Sequence, residues 1–188
     1  MNSQVKPIRQ KTSHANRGMN FESYIVQANS RYRLRRIASV DKIATPVKVL
    51  KYAMSGPKKG RITDGFFEQK STVDFIGIYR GKMIAFDAKE TQNKTSFPIG
   101  NVEEHQVEVL REKHMHRSIS FLLVHFQVHQ ETYILFYEDL EKFWLEAAKG
   151  GRRSIPYQFF RENCIRCEAG RNVAIDYLAA LDKAMSVT

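Results

Sequence analysis

Apolar residues recur at helical spacing in four parts of the chain. The first lies at about residues 20–30, where Phe21, Ile25 and Ala28 share one helical face. The others lie at about residues 101–116, 140–149 and 173–185. The segment at about residues 140–149 is followed by two consecutive glycines, which commonly end a helix. The sequence therefore predicts four amphipathic helices.

Alternating or continuous apolar runs between these helices predict strands. They are Val47–Tyr52, Ile62–Phe67, 72–79, 82–89, 119–128 and 132–137. Residues 154–169 show no clear period, so we expect them to be irregular or shortly helical. Because helices and strands are interspersed along one chain, the pattern is typical of a mixed α/β layer fold.

The two central runs carry aspartates that a hairpin would bring together. An Arg-Gly turn joins residues 72–79 to 82–89, so Tyr79 is expected opposite Lys82. That register places Asp74 opposite Asp87 and Thr72 opposite Lys89. Opposed Cβ atoms lie roughly 5 Å apart, where two like charges destabilise a sheet. A bound cation would remove this repulsion.

The ligand type indicates which cation would suit this pair. Carboxylate oxygens with few soft ligands nearby favour Mg²⁺ or Mn²⁺. Lys89 would lie on the same strand face as Asp87, beside the metal. The alternative is a slip of one residue in the register, which would leave two solvated carboxylates on opposite faces. The hairpin alone does not decide between these interpretations.

Composition places the chain among globular proteins. Its 188 residues and 43% hydrophobic content suit one domain with a sizeable core. We expect residues 1–15, which are polar and basic, to be a disordered arm, and residues 16–188 to form the domain. The sequence shows no apolar stretch typical of a membrane span or signal peptide. We therefore expect a cytoplasmic protein without a membrane partner.

Positive charge is concentrated in the first third of the chain. Residues 1–65 contain 14 Lys/Arg and 3 Asp/Glu, whereas residues 66–188 contain 16 and 17. This asymmetry favours a polyanionic partner such as nucleic acid. A solubility surface or a membrane-surface patch is the alternative, but the basic stretch lacks the pattern of an amphipathic lipid-binding helix.

The order of Asp74, Asp87, Ala88 and Lys89 gives the pattern Asp…Asp-x-Lys. It resembles the Asp…(Glu/Asp)-x-Lys motif of metal-dependent nucleases with a restriction-endonuclease-like fold. Within that superfamily the chain is similar to the RecU-type Holliday junction resolvases. The similar segments are residues 16–19, 45–47, 72–74, 89–91, 93–98 and 105–106. The resemblance runs from about residue 16 to the C-terminal helix.

This resemblance implies a mixed β-sheet flanked by helices and a Mg²⁺-dependent site, in which Mn²⁺ can substitute. It implies that Thr72 and Gln106 join Asp74 and Asp87 as metal ligands. It also assigns Lys89 to stabilisation of the transition state. The resolvases usually carry Glu where this chain has Asp87, which is one methylene shorter. A metal would therefore lie closer to that strand, or a water would bridge the gap.

Residues 45–67 correspond to the stalk that such resolvases insert into the centre of a four-way junction. Its basic tip contains Lys58, Lys59 and Arg61, which we expect to contact phosphates. The alternative is a solvated hairpin tip in which lysine is simply common. Arg17 is a further candidate for phosphate binding.

The expected function is symmetric paired nicking of four-way DNA junctions in recombination and repair. Two coordinated cuts require two active sites, so a C2 homodimer is expected. One alternative is a catalytically idle junction-binding protein that assists recombination. Another is a nuclease for ordinary duplex DNA. The sequence identifies no protein partner among recombination proteins.

Overall fold

The computed structural model describes residues 20–44, 46–67 and 72–186. The strands are β1 (Ala38–Lys42), β2 (Val47–Tyr52), β3 (Ile62–Phe67), β4 (Phe75–Tyr79), β5 (Lys82–Thr91), β6 (Ser96–Pro98), β7 (Ile119–Phe126), β8 (Glu131–Phe136), β9 (Ser154–Pro156) and β10 (Ile165–Cys167). The helices are α1 (Phe21–Leu34), α2 (Glu104–Met115), α3 (Tyr137–Ala148), α4 (Tyr157–Asn163) and α5 (Tyr177–Ser186), with a 3-10 turn at Ile99–Asn101. None of the helices in these ranges is both long and apolar enough to cross a membrane.

Six strands form the central sheet, in the order β1-β4-β5-β7-β8-β10. β5 and β7 are parallel, and the other neighbouring pairs are antiparallel. One hydrophobic cluster packs α1 and α5 against one face of the sheet. A second cluster packs α2, α3 and α4 against the other face. The predicted α/β class, a mixed sheet flanked by helices, is therefore confirmed.

Alternation along β5 determines which side chains face each layer. Ile84 and Phe86 belong to the cluster under α1 and α5, whereas Ala85 belongs to the cluster under α2. Since side chains in a strand alternate between faces, Asp87 and Lys89 point to the same side as Ala85. The candidate catalytic residues thus lie under the start of α2.

The hairpin formed by β2 and β3 is separate from the central sheet. The two predicted strands pair antiparallel, with irregular register near Val49 and Lys51. Several large apolar side chains of this hairpin are exposed, namely Val47, Val49, Leu50, Tyr52, Met54, Ile62 and Phe66. Residue 45, at which the predicted stalk begins, and residues 1–19, with the predicted arm, lie outside the described residues.

β1 was not predicted, because it is an edge strand with only one buried residue, Val40. It pairs with β4, and Gly77 permits the close approach. A Cβ on Gly77 would lie 2.3 Å from the Ser39 carbonyl oxygen. In addition, α1 extends to Leu34, four residues beyond the prediction. Its last turn is basic, which the helix dipole favours.

Residues 154–169 are more ordered than expected. The short helix that was expected in this segment is α4. The strands β9 and β10 were not predicted, because three-residue strands are too short to show a period in the sequence. The second helix also starts later than predicted, at Glu104 rather than near residue 101. Residues 99–101 form a 3-10 turn, and Glu103 is the N-cap of α2. The last helix starts at Tyr177 rather than near residue 173.

Candidate active site

The β4–β5 hairpin has the predicted register. Tyr79 pairs with Lys82 and Phe75 pairs with Phe86. The strand β4 begins at Phe75 rather than at residue 72, so Asp74 stands one residue before it. The Ile43 N–H donates to the Asp74 carbonyl oxygen at 2.8 Å, which fixes this bend against the end of β1. Asp74 thus reaches the position that the register places opposite Asp87.

Backbone hydrogen bonds hold the two carboxylates together. The Asp74 N–H donates to Asp87 Oδ1 at 2.6 Å. The Ala88 N–H donates to Asp74 Oδ2 at 3.1 Å. Each carboxylate is therefore oriented by a backbone N–H at or next to the other aspartate, and these bonds link the two segments of the hairpin.

Burial makes Asp87 the unusual member of the pair. Asp87 is fully buried, and its Oδ2 atom has no hydrogen-bond partner in the described part of the chain. Burial raises the pKa of Asp87 to about 7, the Asp74 charge adds to this, and Lys89 opposes it. A cation between the carboxylates would give Oδ2 a partner and favour the ionised form.

The start of α2 positions Lys89. Its Nζ atom donates to Gln106 Oε1 at 2.8 Å. The same oxygen accepts the Glu103 N–H at 3.1 Å, within a capping box. Gln106 is itself buried. One amide oxygen therefore links the cap of α2 to the lysine on β5.

Thr72 is the least enclosed of the predicted ligands. It lies in the bend before β4 and is exposed. Its hydroxyl donates to the Val73 carbonyl oxygen at 3.3 Å. The predicted opposition of Thr72 and Lys89 is not part of the sheet ladder, because pairing begins at Phe75. The structure thus brings Asp74, Asp87, Lys89 and Gln106 together, with Thr72 at the margin.

Lys42 is a charged neighbour that sequence reasoning missed. It ends β1, pairs with Phe75 in the ladder and forms an ion pair with Glu22 of α1. Its pKa is raised, mainly by Glu22 and to a smaller extent by the charge of Asp74. No signal in the sequence placed it here, because β1 itself was not predicted.

The predicted DNA-contacting residues of the hairpin lie in an exposed turn. Lys58, Lys59 and Arg61 all face solvent. Within the turn, the Lys59 N–H donates to the Gly56 carbonyl oxygen and the Arg61 N–H to the Lys58 carbonyl oxygen, each at 3.0 Å. Arg17 lies outside the described residues.

The donor set fits a hard divalent cation. Asp74 and Asp87 supply carboxylate oxygens, and Asp87 Oδ2 is a buried acceptor that receives no hydrogen bond from any described residue. In the ranges described, no group of three or more His, Cys, Asp or Glu residues could hold a metal. A metal would therefore complete its coordination with uncharged oxygens, water or a phosphate, as Mg²⁺ commonly does.

Comparison with known proteins places these residues in a family. The family model described as Recombination protein U, RecU, matches residues 16–183. A protein of Oceanobacillus iheyensis named Holliday junction resolvase RecU is 40% identical over 169 residues, covering 90% of this chain and 86% of that protein. Its namesake in Bacillus mycoides is 36% identical over 176 residues, covering 94% and 88%. The Levilactobacillus brevis protein of that name is 35% identical over 175 residues, covering 93% and 87%.

Among solved structures, a match is the Archaeoglobus fulgidus protein Hjc, described as a Holliday junction resolvase from an archaeal hyperthermophile. It is 8% identical, covers 62% of this chain and 77% of its own, and has a TM-score of 0.37. The sequence matches are much more extensive. The family model spans nearly all of the sheet and helices as well as the aspartate pair, and each relative aligns over at least nine-tenths of the chain. The chain therefore belongs to the RecU family of recombination proteins.

Proposed function

We propose that this protein is a divalent-metal-dependent endonuclease that resolves four-way DNA junctions by symmetric paired nicks in recombination and repair. The observation that carries the proposal is the mutual orientation of Asp74 and Asp87, with Lys89 on the same face of β5. The names of the relatives support the choice of substrate.

Mg²⁺ is the proposed cofactor, and Mn²⁺ can substitute. Asp74 and Asp87 would hold it, and this assignment is supported by Asp87 Oδ2, which has no hydrogen-bond partner within the described ranges. A bound metal would neutralise phosphate charge and lower the pKa of a bound water. Thr72 and Gln106 are the proposed additional ligands. Because Gln106 Oε1 already accepts two hydrogen bonds, its ligation would require that one of them be given up.

Lys89 is proposed to stabilise the transition state of phosphodiester cleavage. Its hydrogen-bond partner, Gln106, is a neutral amide, so this contact does not neutralise the ammonium charge. Developing negative charge on a phosphate would therefore be attracted to it. Gln106 restrains the direction in which the ammonium points, which favours a fixed electrostatic contact over a mobile surface lysine.

Junction DNA is proposed to be engaged by the β2–β3 hairpin and the basic N-terminal third of the chain. Lys58, Lys59 and Arg61 would contact phosphates at the junction centre, since they are exposed cations at the end of the hairpin. Arg17 is proposed to add a further phosphate contact.

Two coordinated cuts require two active sites, so we propose a C2 homodimer. The exposed apolar residues of the β2–β3 hairpin support this assembly, because an isolated two-stranded hairpin is marginally stable in water. The mass of the particle in light scattering after gel filtration tests the dimer. A monomer at all concentrations would exclude this arrangement.

The decisive experiment is cleavage of a synthetic mobile four-way junction with Mg²⁺ or Mn²⁺, beside Lys89→Ala and a linear duplex. Paired symmetric nicks by the wild type alone, with the duplex intact, are the expected result. Tight junction binding without cutting would support the junction-binding alternative and direct attention to Asp87. Equal cutting of the linear duplex would exclude selectivity for junctions.

A further inference from the structure

We infer that the loop between α3 and β9, which carries Arg152 and Arg153, is a second phosphate-binding surface that holds a DNA arm beside the active site. This inference rests on the proposed function. The loop is remote in sequence from the basic hairpin and lies in the part of the chain that has no net positive excess. Its position and construction carry the argument.

Helix packing brings this loop to the same end of the sheet as the active site. At one end, His114 near the end of α2 lies beside the start of α3, with Nδ1 3.6 Å from Glu138 Oε1. Both helices have 12 residues. If the two helices run antiparallel, the end of α3 lies near the start of α2, where Gln106 contacts Lys89. In agreement, α3 also contacts the 3-10 turn that precedes α2.

Two glycines fix how the chain leaves α3. Gly150 has φ +85°, a left-handed conformation that glycine adopts without strain. Its N–H donates to the Ala147 carbonyl oxygen at 3.1 Å, and the Gly151 N–H donates to the Glu146 carbonyl oxygen at 3.0 Å. These bonds form a Schellman motif. A Cβ on Gly151 would lie 2.8 Å from Glu146 Cγ, so glycine is also needed for space.

The other end of the loop is attached to the segment that leads to Gln106. The Ile99 N–H donates to the Arg153 carbonyl oxygen at 3.1 Å, and Ser154 pairs with Pro98. From Ile99 the chain reaches Glu103, whose N–H donates to Gln106. Four residue steps span at most about 14 Å. Arg153 is therefore within a few nucleotides of the active site along a DNA strand.

The loop presents charge that is not neutralised. Lys149, Arg152 and Arg153 are exposed, and in the described part of the chain none of them forms an ion pair. The side-chain contact of Arg152 is Nε to the Ser154 hydroxyl at 3.3 Å, a neutral partner. Glu146 is the neighbouring acid, so the local balance remains positive. Cations on a backbone that is fixed at both ends suit phosphate contact, because little order must be gained on binding.

The test compares Arg152→Gln/Arg153→Gln with a matched control, Lys82→Gln/Arg117→Gln. The control removes two exposed cations at the opposite end of the sheet, where β5 and β7 begin. Junction binding by the full chain is measured by fluorescence anisotropy in Ca²⁺ over a range of salt concentrations. Single-turnover cleavage is measured in Mg²⁺ at saturating protein, and circular dichroism verifies that both variants fold.

The loop variant should bind about tenfold more weakly at low salt. Its slope of log Kd against log salt should fall by roughly two for each protomer that contacts DNA. The control should match the wild type, and Arg152→Lys/Arg153→Lys should recover most of the affinity. The saturated cleavage rate should change less than about threefold, because the loop contacts an arm rather than the scissile phosphate.

Equal affinity and salt slope for the loop variant, the control and the wild type would overturn the inference while leaving the proposed function intact. Wild type that neither binds nor cuts a junction would instead overturn the proposed function, and the inference with it. If the double variant unfolds, the single changes Arg152→Gln and Arg153→Gln would replace it. Each should lower the slope by roughly one for each protomer that contacts DNA, and a wild-type slope for both would overturn the inference.

Discussion

Replacing the buried carboxylate by its neutral amide, Asp87→Asn, should stabilise the metal-free protein, and the gain should grow with pH. Asparagine keeps an oxygen to accept the Asp74 N–H. Its amide nitrogen would take the place of Oδ2, which has no hydrogen-bond partner among the described residues, and could donate to the adjacent Asp74 carboxylate. The substitution is nearly isosteric, so it changes charge without opening a cavity.

The raised pKa sets the sign and size of this effect. Asp87 has a pKa of about 7 in the folded protein and roughly 3.9 when unfolded. Between these values the folded state keeps a proton that the unfolded state has lost, so stability falls as pH rises. The loss approaches about 1.36 kcal/mol for each pH unit, which amounts to roughly 2–3 kcal/mol between about pH 5 and pH 7. Above about pH 7 both states are ionised and the loss levels off.

Thermal unfolding in EDTA, followed by far-UV circular dichroism, measures this term. For a chain of this length, the advantage of Asp87→Asn over wild type should increase by roughly 5–10 °C in Tm between about pH 5 and pH 8. Asp64→Asn is the matched control, because Asp64 is an exposed aspartate on β3. Its curve should run parallel to that of the wild type.

The metal provides a second arm of the same experiment. Saturating Mg²⁺ should stabilise the wild type by about 2.7 kcal/mol at a concentration one hundred times its Kd. Asp87→Asn should lose most of that gain. If the wild type and Asp87→Asn had parallel stability curves across the whole pH range, Asp87 would be ionised in the folded protein. That result would refute the argument from burial.

Three further experiments test other parts of the molecule. Lys89→Gln removes the charge of the side chain and keeps most of its length. Junction cleavage should therefore fall about 100-fold or more, with much less change in junction binding measured in Ca²⁺. Unchanged cleavage would exclude Lys89 from the chemistry. Gly77→Ala forces a Cβ against the Ser39 carbonyl oxygen, so urea denaturation should show a loss of about 1–3 kcal/mol, whereas Gly100→Ala, which has open space, should resemble wild type. Burial raises the pKa of Cys164 to about 12, so a thiol reagent near pH 8 should modify it rapidly only after unfolding.

The aspartate pair could be located from the sequence because a two-residue turn fixes the partners along an antiparallel hairpin. Once Tyr79 is opposite Lys82, the positions of Asp74 and Asp87 follow by counting. The register needs no knowledge of the rest of the fold. β1 illustrates the converse, since it has one buried residue and is defined by its pairing with β4. An edge strand of this kind is specified mainly by its neighbour.

The contact between Lys89 and Gln106 could be predicted only in part from the sequence. The resemblance to the resolvases assigned both residues to the site, but it did not indicate that they hydrogen-bond to each other. That bond depends on where α2 begins, and the sequence suggested a start near residue 101. The capping box at Glu103 sets the actual start and directs the Gln106 oxygen toward β5. A shift of two or three residues in the cap would turn that side chain to another face of the helix.

The charge state of the pair is the property that depends most on the complete fold. Asp74 and Asp87 are the same residue type at neighbouring positions of one hairpin, yet only Asp87 is fully buried. Asp74 lies in a bend just before β4, whereas Asp87 lies inside β5, with β4 and β7 on either side and α2 above. Strand order and helix placement therefore determine which carboxylate is desolvated. Because desolvation favours the proton and a metal would favour its release, the same packing would make binding of the proposed cation dependent on pH.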